Sequence, residues 1–290
     1  MSDASTSPPR CLLTDASGYV GSLIAEKLAA EGWAVTAMTR APKPGQVQFQ
    51  LGEPVAADAL RGADALIHCA YDFQAVEWND IRAVNVEGSQ RLFEAAKAAG
   101  LKRVVLISTI SAFDGCRSKY GRAKLEIEAA ASTLGARILR PGLIYGLSPG
   151  GMFGRLVAQV RTSRFVPMPG DGRQIQFTLH EDDLTDGVYR ALTKEEVAAA
   201  PITLAHHAPL TFRDIIETIG ARLGRKVVPV PTPWQAMWLA LRAAELARLP
   251  MRLRSDSLIS LMHQNQAPVF NAEAELGVRC RPFDLSTLAL

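Results

Sequence analysis

This sequence predicts a doubly wound α/β fold: a parallel sheet, followed by a smaller mixed α/β lobe. Three observations carry the prediction. From residue 10 to about residue 140, short runs rich in Val, Ile and Leu alternate with helical patterns, and repeated strand–helix–strand units close as right-handed crossovers on one sheet. The first strand runs directly into a glycine-spaced turn, Thr14-Asp15-Ala16-Ser17-Gly18-Tyr19-Val20-Gly21. Beyond Pro141 the alternation stops, Gly and Pro crowd residues 141–172, and helices and short strands mix irregularly.

Taken in order, "CLLT" (11–14) reads as a buried strand and "YVGSLIAEKLAAEG" (19–32) as a helix stopped by Gly32. "WAVTAMT" (33–39) is the next strand. "ADALIHCA" (63–70) and "RVVLIS" (103–108) are apolar enough to be parallel strands covered on both faces. Between them, "WNDIRAVNVEGSQRLFEAAKAAG" (78–100) reads as one long helix. "KYGRAKLEIEAAASTLG" (119–135) is another, with Ser118 as its N-cap, and "ARILR" (136–140) is another strand. Further on, "TFRDIIETIGARLGR" is an amphipathic helix begun by Thr211, and "KVVPVP" (226–231) is a strand ended by its prolines.

Composition narrows the function classes. A net charge of +3 with no basic run gives no footprint for nucleic acid. Cys11, Cys69, Cys116 and Cys280 lack C-x-x-C spacing, so reduced buried thiols of a cytosolic protein are expected, with no metal site. "MSDASTSPPR" has no apolar core and reads as a disordered leader over 1–9. "PWQAMWLALRAAELARLP" (233–250) contains Arg242, Glu245 and Arg248, too short and charged a stretch to span a bilayer, and reads as an amphipathic lobe helix. A cytoplasmic protein with a small-molecule substrate and no membrane or nucleic-acid partner is expected.

A strand, this glycine turn and a helix together form the setting of a dinucleotide fingerprint. Gly18 lets backbone amides approach a pyrophosphate at the helix N-terminus, and Gly21 lets the helix pack close to the sheet. Asp15 stands where such turns usually have their first glycine. Aspartate tolerates positive φ, so the turn can survive. Its charge costs binding if it faces a phosphate and helps if it faces ribose hydroxyls. The second strand ends Thr39-Arg40, where an NAD site usually offers a carboxylate, so a 2′-phosphate and hence NADP is favoured over NAD. Arg40 could also neutralise Asp15.

Tyr120 and Lys124 stand one helical turn apart. A lysine ammonium beside a phenol, near an oxidised nicotinamide, lowers the phenol pKa and makes it a usable acid/base. The preceding strand ends in the hydroxyls Ser108, Thr109 and Ser111, which suit a substrate carbonyl or hydroxyl. His68, ending a buried strand, reads as a satisfied core histidine.

The Thr14–Gly21 turn, "IHCA", Asn85 in "NVEGSQ", "LISTISAF", Tyr120/Lys124, "LRPGLIYG" and "LHEDDL" (179–184) follow one another in a recognisable order. Over residues 10–190 the chain resembles an extended, epimerase/dehydratase-like short-chain dehydrogenase/reductase. The resemblance implies a Rossmann-type domain over 10–150, with segments of 175–205 free to return to it, and a mainly substrate-binding lobe over 151–290. It implies Tyr120 as acid/base, Lys124 on the nicotinamide ribose, and Thr109 as hydroxyl partner with Ser111 as the alternative. It further implies backbone at Tyr19 and Val20 on the pyrophosphate, Ala70 along the cofactor, Asn85 ordering the central helix, Pro141 and Gly142 near the nicotinamide amide, and a homodimer. His180 and Asp183 would tie the lobes together.

Two further departures qualify the resemblance. Only residues 110–119 separate Thr109 from Tyr120, a shorter loop than extended members usually carry. Gln176 stands where sugar-nucleotide-binding relatives often have a diphosphate-gripping arginine, with Arg173 nearby. The expected activity is therefore hydride movement between NAD(P) and a substrate alcohol or carbonyl carbon, leaning to a net reductase. A nucleotide-sugar epimerase or dehydratase and a non-catalytic redox sensor are the alternatives.

Overall fold

The computed structural model describes residues 7–147, 150–196, 200–247, 249 and 253–288. Residues 1–6 of the expected leader lie outside them. In chain order the first strands and helices are β1 (Arg10–Thr14), α1 (Tyr19–Ala30), β2 (Ala34–Thr39), β3 (Val47–Gln48), β4 (Ala65–His68), α2 (Trp78–Ile81), α3 (Glu87–Ala98), β5 (Arg103–Ile107), α4 (Lys119–Ser132) and β6 (Arg137–Pro141). They are followed by β7 (Leu143–Tyr145), α5 (Gly151–Thr162), β8 (Phe165–Pro169), β9 (Ile175–Gln176), β10 (Thr178–His180), α6 (Glu181–Thr193) and β11 (Ile202–Leu204). The last are β12 (Leu210–Thr211), α7 (Phe212–Arg222), β13 (Val228–Thr232), α8 (Trp234–Leu246), α9 (Ser255–Met262) and α10 (Ala272–Leu276).

The main sheet has seven strands in the order β11-β6-β5-β4-β1-β2-β3. The pairs β1/β2, β1/β4, β4/β5, β5/β6 and β2/β3 all run parallel. The order reverses direction beside β1, the switch point at which open α/β sheets bind ligands. Cys11–Thr14 and Ala65–His68 are buried along their whole length, as strands covered on both faces must be.

Two compact units divide the chain. The first holds the described residues up to Ile107, Glu126–Leu139 and Val188–Pro201. The second holds Ser108–Leu125, Arg140–Gly187 and the described residues from Ile202 onward. The second unit has its own core around Tyr145, Phe153, Met168, Ile215, Ile216 and Ile219. Within it β7/β10 and β8/β13 pair parallel, and β9/β12 antiparallel.

Two local expectations need correction. The stretch 78–100 is not one uniform helix: residues Arg82–Val86 form a π-helical segment between α2 and α3. The prolines do not end the 226–231 strand; Pro229 and Pro231 lie inside β13 and pair with β8, itself built on Pro167 and Pro169. Proline is tolerated there because the pair is a two-stranded ribbon, so each strand is an edge that can leave N–H positions unpaired. By contrast Thr211 caps α7 as expected, in a capping box with Asp214, and Ser118 Oγ accepts from Gly121 N at 3.0 Å.

Candidate active site

The first unit presents a cleft of about 570 Å³ lined by Asp15, Ala16, Ser17, Thr39, Arg40, Ala70, Tyr71 and Phe73, among others. It opens where β1, β2 and β4 end. Thr14 lies beneath this cleft rather than in its wall. Its buried hydroxyl accepts from Cys69 N at 2.9 Å and Ala70 N at 3.0 Å, and meets His68 Nδ1 at 2.9 Å. With both amides donating to it, the Thr14 hydroxyl donates to Nδ1, which leaves the His68 Nε2–H to donate to Ser89 Oγ at 2.8 Å. His68 is thus a fully bonded core histidine.

Asn85 is also fully buried. Its Oδ1 accepts from Asp72 N at 2.6 Å and its Nδ2 donates to Asp72 O at 3.0 Å. This clamps the loop that carries Tyr71 and Phe73 along the cleft. The π-helical segment is the local distortion within which Asn85 sits.

Among the described residues Asp15 is the one non-glycine with positive φ, at 56°. A Cβ on Gly21 would collide with the Asp15 carbonyl oxygen, and one on Gly18 would collide with the Asp15 carboxylate. Gly21 is therefore required by the backbone itself, whereas at Gly18 the collision is with a side chain that can turn away; the Asp15 carboxylate lies against Gly18, the residue just before α1. Although Asp15 is exposed as a residue, loss of water around its carboxyl raises it above the ordinary value, and the Arg40 charge pulls it the other way. Arg40 acts through space: no ion pair within 4 Å joins the two among the described residues. The glycine cradle, the cleft at the switch point and Arg40 fit a dinucleotide, with Tyr19 and Val20 forming the first turn of the helix that would face its pyrophosphate.

The second unit holds Thr109, Ser111, Tyr120, Lys124, Pro141 and Gly142. Thr109 and Tyr120 are joined by a side-chain hydrogen bond. Burial pushes the Tyr120 phenol up to about 12, and the Thr109 bond pulls it down less strongly. The net direction is upward. Lys124 stands one turn further along α4 and is 2% exposed. The Pro141 carbonyl accepts from Ile110 N at 3.0 Å, and Gly142 N donates to Leu204 O at 2.9 Å, so both are pinned by backbone.

Asp256, which the sequence did not single out, accepts from Lys119 N and Tyr120 N, each at 2.8 Å. A carboxylate on α9 therefore caps the helix that carries Tyr120, satisfying two amides that a helix start leaves free. Ser111 Oγ donates to Gln264 Oε1 at 3.3 Å, just past the same α9. Nothing local announces Asp256, because its partners are more than a hundred residues away. Replacing Asp256 by Ala is expected to lower unfolding free energy by about 1–3 kcal/mol. Urea titration of both proteins measures this, and Asp256→Asn should recover part of the loss.

Gln176 is buried and donates to the Ile175 carbonyl at 2.6 Å, while Arg173 is exposed beside Asp171 at 3.5 Å. The described bonds of His180 and Asp183 stay inside the second unit. Asp183 grips Arg281 at 2.7 Å, and His180 Nδ1 accepts from Asp182 N at 3.2 Å. No helix among the described residues is long and apolar enough to cross a membrane.

A parallel switch-point sheet with a glycine-cradled cleft defines a dinucleotide-binding protein of the Rossmann type. Residues 11–204 match the NAD dependent epimerase/dehydratase family, and the chain belongs to that family, as an enzyme of the extended short-chain dehydrogenase/reductase type. It is 33% identical over 146 residues to ceramide reductase of Caulobacter vibrioides, a match spanning 46% of each chain, less than half of that protein. It is 24% identical to the 4-hydroxy-2-methyl-3-oxo-4-farnesyl-3,4-dihydroquinoline-1-oxide ketoreductase of Stigmatella aurantiaca, over 81% of this chain and 80% of that one. The solved structure of MoeE5 in complex with UDP-glucose and NAD is similar at a TM-score of 0.73 and 20% identity, covering 94% of each chain, which bears on the fold alone.

Proposed function

We propose that the protein is a net NADP(H)-preferring reductase, in which Tyr120 gives a proton to the oxygen of a substrate carbonyl. The hydrogen-bonded Thr109–Tyr120 pair carries this reading. Bound NAD(P) supplies or takes up hydride at its nicotinamide. The protein supplies the rest. A phenol raised to about 12 stays protonated through neutral pH, which suits a proton donor to a developing alkoxide. Thr109 orients that phenol, Ser111 offers the alternative hydroxyl, and Lys124 supplies the ammonium one turn on. Arg40 beside Thr39 favours a 2′-phosphate.

Two observations favour net reduction over a reaction that returns the hydride. Gln176 spends its amide on the carbonyl of Ile175 and carries no charge for a sugar diphosphate. Two of the relatives named above are called reductases. The test uses nicotinamide carrying deuterium at C4. A reductase releases deuterated alcohol and accumulates oxidised cofactor in equal amounts, whereas an epimerase accumulates none.

The pH dependence has a definite sign. Reduction should be level across neutral pH, because the acid form of Tyr120 is fully populated there. Alcohol oxidation needs the phenolate and should rise about tenfold per pH unit on the alkaline side. Steady-state rates in both directions measure this. Dinucleotide affinity should also strengthen as pH falls through the raised Asp15 titration, since protonation removes a negative charge that bound phosphates would repel. Asp15→Asn should abolish that part of the slope in binding titrations.

A further inference from the structure

The second unit contains a cavity of about 940 Å³, near the upper end for small-molecule pockets. Leu156, Phe212, Met237, Leu258 and Leu261 form much of its wall. Arg155, Gln159, Thr162 and Ser257 are the polar side chains among its lining. Arg155 is exposed, and burial of part of its side chain lowers its pKa. A sugar nucleotide would bring two phosphate charges and a polar base to this wall, and most of the wall could not pair with them.

The α9 segment touches both the cavity and the start of the helix that carries Tyr120. Leu258 and Leu261, three residues apart, give the cavity one face of α9. Asp256 on the same helix caps the amides of Lys119 and Tyr120, and Gln264 just beyond it meets Ser111. The helix is itself fixed at its start, where Ser255 N and Oγ each donate to the buried Glu245 carboxylate at 2.8 Å. Wall and reactive segment thus both rest on α9 and the residues just after it, and a helix is about 10 Å across.

We propose that this cavity takes the long apolar tail of the substrate whose carbonyl Tyr120 protonates. The proposal rests on the reductase reading for the carbonyl, but the tail site has its own readout. A short ketone does not span the width of a helix; a long-chain one does.

The test is calorimetric binding and NADPH-dependent turnover of straight-chain methyl ketones, from 2-hexanone to 2-tetradecanone. Affinity should tighten about fourfold per methylene that reaches the wall. Met237→Lys and Leu261→Gln should each flatten that chain-length slope, with folding checked by near-UV circular dichroism. Met237 is half-buried, so at least one variant is expected to keep the fold. Chain-length-dependent binding without turnover would support the tail site and overturn the reductase reading. Turnover with affinity indifferent to chain length would overturn the tail site and leave the reductase standing. UDP-glucose binding that Met237→Lys weakens would also overturn it.

Discussion

Tyr120→Phe is expected to lower kcat for carbonyl reduction by about 10²–10⁴-fold, while the fold and the affinity for NADPH persist. That loss corresponds to roughly 3–5 kcal/mol of transition-state stabilisation. The substitution keeps the ring and removes only the hydroxyl, so the packing of α4 and the Asp256 cap at its start survive. What disappears is the proton that a buried phenol, raised to about 12, carries at neutral pH. Thr109→Val sharpens the test. The Thr109 bond pulls the phenol down, so its removal should push Tyr120 higher and move the oxidative pH–rate profile to more alkaline values. A structural role for Tyr120 would give no such movement.

The second large effect concerns Asp15. Its carboxylate lies against Gly18, the residue whose backbone such turns bring close to a pyrophosphate. A charge about 5 Å from one phosphate charge costs on the order of 3 kcal/mol at an effective dielectric near 20, or roughly a hundredfold in affinity. Asp15→Gly should therefore tighten dinucleotide binding by up to about a hundredfold. The gain will fall short of that limit because Arg40 already offsets part of the charge and burial favours the protonated carboxyl. The change also gives the 56° φ at this position to the residue that adopts it most readily.

Much of the first unit was legible because its signals are local. β1 and its glycine turn, the buried parallel strands and the capped starts of α4 and α7 follow from short-range pattern and residue type. The π-helical segment at 82–86 was not legible, since its apolar spacing reads as ordinary helix; the buried Asn85 clamp on Asp72 accompanies the distortion. β13 was misjudged at its end because prolines usually stop strands, and only pairing as a two-stranded ribbon with β8 admits them. Asp256 and Gln264 carried no signal at all. Their value comes from partners far along the chain, on segments that only tertiary folding brings together.

The most direct test of the whole account is a fluorescence titration of wild-type protein and Asp15→Gly with NADPH and with NADH. Wild type is expected to bind NADPH in the micromolar range, more tightly than NADH, and the glycine variant to bind both more tightly still. If neither nucleotide binds wild type at any accessible concentration, and binding appears only with glycine at position 15, the chain keeps the cradle without using it and the reductase reading is contradicted.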